Sequence, residues 1–148
     1  MPSPKSKAIQ YKRLRPSEPC VGPKRQHEGD AGLDLVISRY TQIFAGHCVQ
    51  LSTNMAMAIP EGYFGLILPR SSTLWRNGLH VSPGTVDSGY RGEVMVLVRN
   101  LTDRAATVNA GDRIAQLLVL PVPKFELEEV EELEAGDRGE FGFGSTGA

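Results

Sequence analysis

Apolar residues in this chain come in short runs, and they almost never recur at helical spacing. That feature limits the fold more than any other. An amphipathic helix needs apolar side chains at i, i+3, i+4 and i+7, whereas a strand needs only four to eight residues between turn signals. Candidate strands are Ala8–Leu14, Leu33–Val36, His47–Leu51, Met55–Ile59, Tyr63–Leu68, Thr85–Val86, Val94–Asn100, Ala106–Val108, Ala115–Pro121 and Phe125–Val130. Between them stand "PEG" at 60–62, "SPG" at 82–84, "SGYRG" at 88–92 and "NAGD" at 109–112. Many short strands at close spacing predict an all-β sandwich or barrel. One short helix is predicted at Thr73–Asn77, with Ser71 or Ser72 as N-cap and Gly78 at its end. No internal repeat is present.

The chain has 148 residues, which suits one core. The predicted organisation is a β domain over 1–135 and a glycine-rich arm over 136–148. Five of the last thirteen residues are glycine, so the arm lacks the apolar surface to order itself. Net charge is −1, and nothing global attracts nucleic acid or an anionic membrane. The first 27 residues are rich in Lys and Arg and residues 126–134 are mostly Glu; both read as solvated surface. Cys20 and Cys48 lack CxxC spacing and read as free thiols, buried or half-buried. With no secretory h-region and no apolar run near membrane-spanning length, a soluble, cytoplasmic protein is expected.

Several stretches carry chemistry beside a plainer reading. "PRSS" at 69–72 places Arg70, Ser71 and Ser72 at a helix start, where backbone N–H groups suit phosphate; the plainer reading is a cap and a surface cation. "SPGTVDSGYRGE" at 82–93 reads as a hairpin. Its Asp87, following an apolar stretch, is expected to be partly buried and is either a general base for a water or a turn former. Tyr90 either stacks on a sugar or base, or packs. In "EGDAGLDL" at 28–35, Asp34 either works near phosphate through a metal ion and its waters or makes an Asx turn. Gln116 sits in the apolar strand of "AGDRIAQLLV" and needs a partner, either a ligand or a neighbouring backbone group. "GFGSTG" at 142–147 matches GxGxxG, but only Ala148 follows, so a dinucleotide-binding fold is not expected. The arm is either solvated or closes over a ligand, with Arg138 meeting a terminal anion and Phe143 a flat ring.

"AGLDL", "PRSS", "GTVDSGYRGEV", "GDRIAQLLV" and "RGEFGFGSTG" stand in an order that resembles motifs one to five of the trimeric dUTPase family. The resemblance spans residues 31–147. It implies a jelly-roll β-barrel, a homotrimer whose active sites draw on all three chains, and hydrolysis of dUTP to dUMP and pyrophosphate with Mg2+. By the same resemblance Asp87 would deprotonate the attacking water and touch the deoxyribose 3′-OH. Tyr90 would pack on the deoxyribose and exclude a ribose 2′-OH. The backbone of Gly84, Thr85 and Val86 would read the uracil edge. Arg70, Ser71, the Ser72 amide and Gln116 would hold the phosphates, and Asp34 would act on Mg2+ through waters. From the arm, Arg138 would reach the γ-phosphate, Phe143 would cover the uracil, and Gly144, Ser145 and Thr146 would close on the phosphates. The sequence departs from the family pattern at Ser72, where Gly is usual, and at Val81, where Asn is frequent. The segment "TLWRNGLHV" is also shorter by about two residues.

The shortened segment and "HVSPGTVDSGY" also resemble the dCTP deaminases of the same fold. That chemistry implies a Glu on the strand after Asp87, and the aligned position here is Leu97. Without a carboxylate to move protons to the amine, deamination is not expected. The zinc-deaminase signature is absent. A binding or regulatory protein on the same scaffold is the other alternative; intact catalytic-type residues argue against an inactive version.

Overall fold

The computed structural model describes residues 8–140, apart from the side chains of residues 75 and 76. The elements are β1 (Gln10–Arg13), β2 (Leu33–Val36), β3 (Thr41–Ile43), β4 (Cys48–Ala58), β5 (Tyr63–Pro69), α1 (Thr73–Asn77), β6 (Leu79–Val81), β7 (Gly84–Val86), β8 (Glu93–Asn100), β9 (Ala106–Val108) and β10 (Arg113–Pro121). They form a four-stranded sheet in the order β1-β4-β8-β6, a second in the order β2-β10-β5-β7, and the pair β3-β9. Every ladder is antiparallel.

The core lies between the two four-stranded sheets. Strand β8 shows why: Val94, Val96 and Val98 are buried, and the residues between them face outward, the period-two pattern of a half-covered strand. From the second sheet, Leu35, Ile67, Val86, Ala115 and Leu117 meet that face. Strand β4 is buried continuously from Leu51 to Met57 because the chain before β2 covers its outer side. Its ladder with β8 shifts register between Ser52 and Ala56. Asn54 lies in that bulge at φ 55°, a left-handed conformation that Asn tolerates better than most residues.

Some expectations are corrected. His47–Leu51 and Met55–Ile59 are one strand, joined through the bulge. The segment 82–93 is not a hairpin: β7 pairs with β5 and β8 pairs with β4 and β6, so the chain crosses between sheets there. No strand forms at Phe125–Val130, where Phe125 and Leu127 are exposed. The last rung beyond β10 is Val122 N–H donating to Gly62 O at 2.9 Å. Pro123 then has no N–H to continue the ladder, and Pro60–Gly62 has turned away. Cys20 is half-buried as expected, but Cys48 is exposed at the start of β4, and both are free. Gly78 ends α1 in the left-handed conformation at φ 63°, whereas Ser72 occupies the N-cap position without a side-chain cap bond.

Candidate active site

The second sheet brings four of the five motif segments side by side, because its strand order is β2-β10-β5-β7. Gln116 on β10 is the Cα partner of Asp34 on β2 and of Leu68 on β5. Beyond β5 lies β7, with Ile67 opposite Gly84, Leu66 opposite Thr85 and Gly65 opposite Val86. Residues far apart in sequence therefore share one sheet.

One end of that sheet is cationic. Arg70 follows β5, and its Nε meets Asp34 Oδ1 at 3.0 Å while its Nη1 donates to Arg113 O at 2.9 Å. Two donors of the guanidinium are thus fixed, and the fork is aimed by the fold. Asp34 Oδ2 faces Arg113 Nη1 at 3.5 Å and accepts from Gln26 Nε2 at 2.9 Å. Asp34 is 7% exposed, and two guanidiniums against one carboxylate leave this three-residue cluster net positive. The Gln116 amide donates to Pro69 O at 3.0 Å, so its partner in the free chain is a neighbouring backbone group. A Cβ on Gly32 would lie 2.1 Å from Gln116 Oε1; the glycine of "AGLDL" makes room for this side chain. Among the described residues neither the Ser71 nor the Ser72 hydroxyl has a hydrogen-bond partner, and both sit beside Arg70.

The other end holds Asp87 and Tyr90. Strand β7 is the last of its sheet, so one of its backbone edges faces outward, able to pair with a flat polar ligand edge. Gly84 has neither a positive φ nor a crowded Cβ position; the nearest atom to a Cβ there would be Ile67 Cδ1 at 3.8 Å. Asp87 is exposed, which corrects the expectation of partial burial: it lies one residue past an edge strand, and among the described residues no further strand covers it. Asp87 O accepts from Tyr90 N at 3.1 Å, closing the turn. Asp87 lies one residue beyond the Gly65–Val86 pair, level with Phe64, and Arg70 lies six residues along β5. At ~3.3 Å per residue the two are about 20 Å apart in one chain. The structure therefore does not bring the predicted base and the predicted phosphate cluster together within a single chain.

Arg138 lies in an exposed turn over residues 137–140. Phe143, Gly144, Ser145 and Thr146 lie outside the described residues. Asp34 is the residue that the resemblance assigns to Mg2+. Both its oxygens face donors, and among the described residues no three His, Cys, Asp or Glu converge on a metal position. That arrangement fits a cation brought by phosphates with its own waters and held at one remove by Asp34; it does not fit a protein cage.

Sequence reasoning missed Arg113 and Gln26 at Asp34, and a polar network around Arg15 and Glu93. Arg113 was visible as the basic residue in "GDRIAQ". Arg15 and Glu93 are 78 residues apart, and no local pattern links them. Glu93 is the acid of β8, and its carboxylate is already taken by Arg15. Leu97, the position relevant to deamination, is 42% exposed on the outer face of that strand.

Known proteins resemble this chain in sequence and in fold. The family model for dUTPase matches residues 19–147. The deoxyuridine 5′-triphosphate nucleotidohydrolase of Corynebacterium glutamicum is 44% identical over 143 residues, covering 95% of each chain. The protein of that name from Rhodococcus erythropolis is 46% identical, covering 95% of this chain and 86% of that one. A Staphylococcus bacteriophage 80alpha dUTPase with dUpNHpp superposes with a TM-score of 0.89 at 29% identity, covering 97% of this chain and 100% of that one. The motif order, the sheet that gathers four of those motifs, and these matches together make the chain a member of the dUTPase family.

Proposed function

We propose that this protein hydrolyses dUTP to dUMP and pyrophosphate, in sites assembled between chains of a homotrimer. The observation that carries the assembly is the separation of about 20 Å between Asp87 and Arg70 along one sheet. Two residues that far apart along one sheet are better placed to grip one nucleotide when they come from different chains.

In this reading the outer edge of β7 reads the uracil through the backbone of Gly84, Thr85 and Val86. Gly84 fits that role because the fold itself does not require a glycine there. Tyr90 packs on the deoxyribose, where a ribose 2′-OH would clash. From a neighbouring chain Arg70, Ser71, the Ser72 amide and Gln116 hold the phosphates. Asp87 takes a proton from a water in line with the α-phosphorus; the water oxygen bonds to that phosphorus as the bond to the pyrophosphate oxygen breaks. The exposed carboxylate suits this task only once the ligand and neighbouring chains cover it. Arg138, Phe143, Gly144, Ser145 and Thr146 serve as a lid that excludes water, with 136–148 as the moving arm. Mg2+, when bound with the triphosphate, would neutralise phosphate charge, and Asp34 would hold its waters.

The test is incubation of purified protein with Mg2+ and, separately, dUTP, dCTP, dTTP and UTP, following pyrophosphate and the nucleotide product. dUMP and pyrophosphate from dUTP alone, lost in Asp87→Ala and in a chain ending at Gly136, support the reading. Deamination of dCTP, or binding of dUTP without turnover, overturns it.

A further inference from the structure

Tyr90 is 44% exposed, so little packing fixes its ring; its own loop does. The ring lies over Gly92, where a Cβ would come within 2.4 Å of Tyr90 Oη. The hydroxyl donates to Glu93 O at 2.9 Å. Glu93 is therefore the landing point of the Tyr90 side chain, and the chain position of Glu93 decides where that ring stands.

Glu93 is unusually well held. Its Oε1 and Oε2 accept from Arg15 Nη2 and Nη1 at 2.8 and 3.0 Å, a two-pronged pair. The same carboxylate accepts from Asn54 N at 2.8 Å and from the Ser52 hydroxyl. Arg15 also spends its Nε on Glu18 Oε2 at 2.9 Å, and Nη2 reaches Ser52 Oγ at 2.8 Å. The Arg15 backbone is clasped by Asn54: its N–H donates to Asn54 Oδ1 at 2.8 Å and its O accepts from Asn54 Nδ2 at 3.0 Å. A network satisfied at this many points fixes geometry as well as contributing stability. Within "SGYRG", Arg91 Nη1 donates to Ser88 O at 2.7 Å and to Tyr90 O at 2.9 Å; these bonds close the loop on itself, while the Arg15–Glu93 network ties its end to β4 and to the N-terminal segment.

We propose that Arg15 and Glu93 form a clip that positions Tyr90 and so sets how strictly the enzyme tells deoxyribose from ribose. The proposal rests on the reading of Tyr90 as the residue that packs on the sugar. Arg15 and Glu93 touch no substrate; they act through the Glu93 carbonyl and the loop behind Tyr90. Loosening the clip lets the ring drift from the 2′ position, so UTP is admitted while dUTP is still turned over.

The test is the ratio of kcat/KM for dUTP to kcat/KM for UTP, measured in the full chain. Glu93→Gln keeps the shape and the bond from Asn54 N, so it is the variant least prone to misfold; Arg15→Ala and the double variant complete a cycle. Each single change is expected to lower the ratio about tenfold, the size of one ordinary hydrogen bond's worth of positioning, and the double no further. Arg15→Lys, which keeps the charge but loses the fork, is expected to fall between. Tyr90→Ala is the control and should lower the ratio at least as far. A ratio unmoved in Glu93→Gln and Arg15→Ala, with only the unfolding midpoint lowered, would show a merely structural anchor and overturn the clip. If Tyr90→Ala leaves the ratio unmoved, the sugar-packing role of Tyr90 fails, and the clip's role fails with it.

Discussion

At the residue scale, single atoms decide what each motif position tolerates. Gly32 is one case: a methyl there meets Gln116 Oε1 at 2.1 Å and Gln116 Cδ at 2.9 Å. The outer Gln116 atoms can move, but Gln116 Cβ, at 3.2 Å, moves only with the β10 backbone, so Gly32→Ala should cost at least about 1 kcal/mol, the bond to Pro69 O. Its larger effect should fall on the KM for dUTP, raised several-fold because the amide is pushed from its place; urea unfolding and steady-state kinetics separate the two. The carboxylates around Arg15 make a second case. The Arg15 guanidinium, helped by Ser52 and Asn54, holds the Glu93 carboxyl well below the usual 4.5, at about 2. Arg39, then Arg15, does the same to Glu18, also at about 2. Between pH 4.5 and 2 the unfolded chain binds more protons at these groups than the folded one. Their contribution to stability is therefore complete above about pH 4.5 and lost as pH falls toward 2. The stability difference between the parent and Glu93→Gln should shrink across that window in acid unfolding and stay constant from pH 5 to 7.

At the element scale, the β4 bulge is the feature on which the N-terminal segment hangs. Asn54 combines a left-handed backbone with side-chain bonds to Arg15 N, Arg15 O, Glu18 O and Pro19 O. Asn54→Ala should lose both, roughly 2–4 kcal/mol; Asn54→Gly should lose only the side-chain bonds and fall less, as read by chemical denaturation. The bulge also shows what the sequence could and could not reveal. Val94–Asn100, Leu33–Val36 and Tyr63–Leu68 were legible because one-sided or full burial imposes a hydrophobic pattern on the residues. Three residues carry no period, so strands that short are legible only from the turn signals beside them: β9 was read beside "NAGD", whereas β3 and β6 were missed. Phe125–Val130 looked like a strand because its residues suit one, yet a strand needs a partner edge, and Pro123 ends the last ladder. The cross-sheet path of 82–93 was hidden because turn residues mark a change of direction without saying which strand comes next. For the site, Arg70, Asp87 and Gln116 were legible from local motifs. The Arg15–Glu93 pair depends on a contact across 78 residues and left no local trace.

At the scale of the whole molecule, the single chain looks incomplete in a consistent way. Its predicted base is exposed at one end of a sheet, its cationic cluster stands at the other, and Phe125, Leu127 and Leu133 lie exposed beyond β10. In the proposed homotrimer complementary halves would come together, and the arm over 136–148 would then have a site to cover. Removing that arm should leave folding intact and lower kcat/KM for dUTP by at least 100-fold, as loss of a lid and its anion contacts would. The most direct test of the shared site is subunit complementation. Asp87→Asn and Arg70→Ala are each expected to be nearly inactive alone. Unfolded together in equal amounts and refolded, they should form mixed trimers in which roughly a quarter of the sites draw an intact Asp87 from one chain and an intact Arg70 from another. Recovery of dUTP hydrolysis near that fraction of the parent rate is the predicted result. A mixture as inactive as its parts, with mixed trimers shown to form, would mean that one chain supplies both residues and would contradict the account.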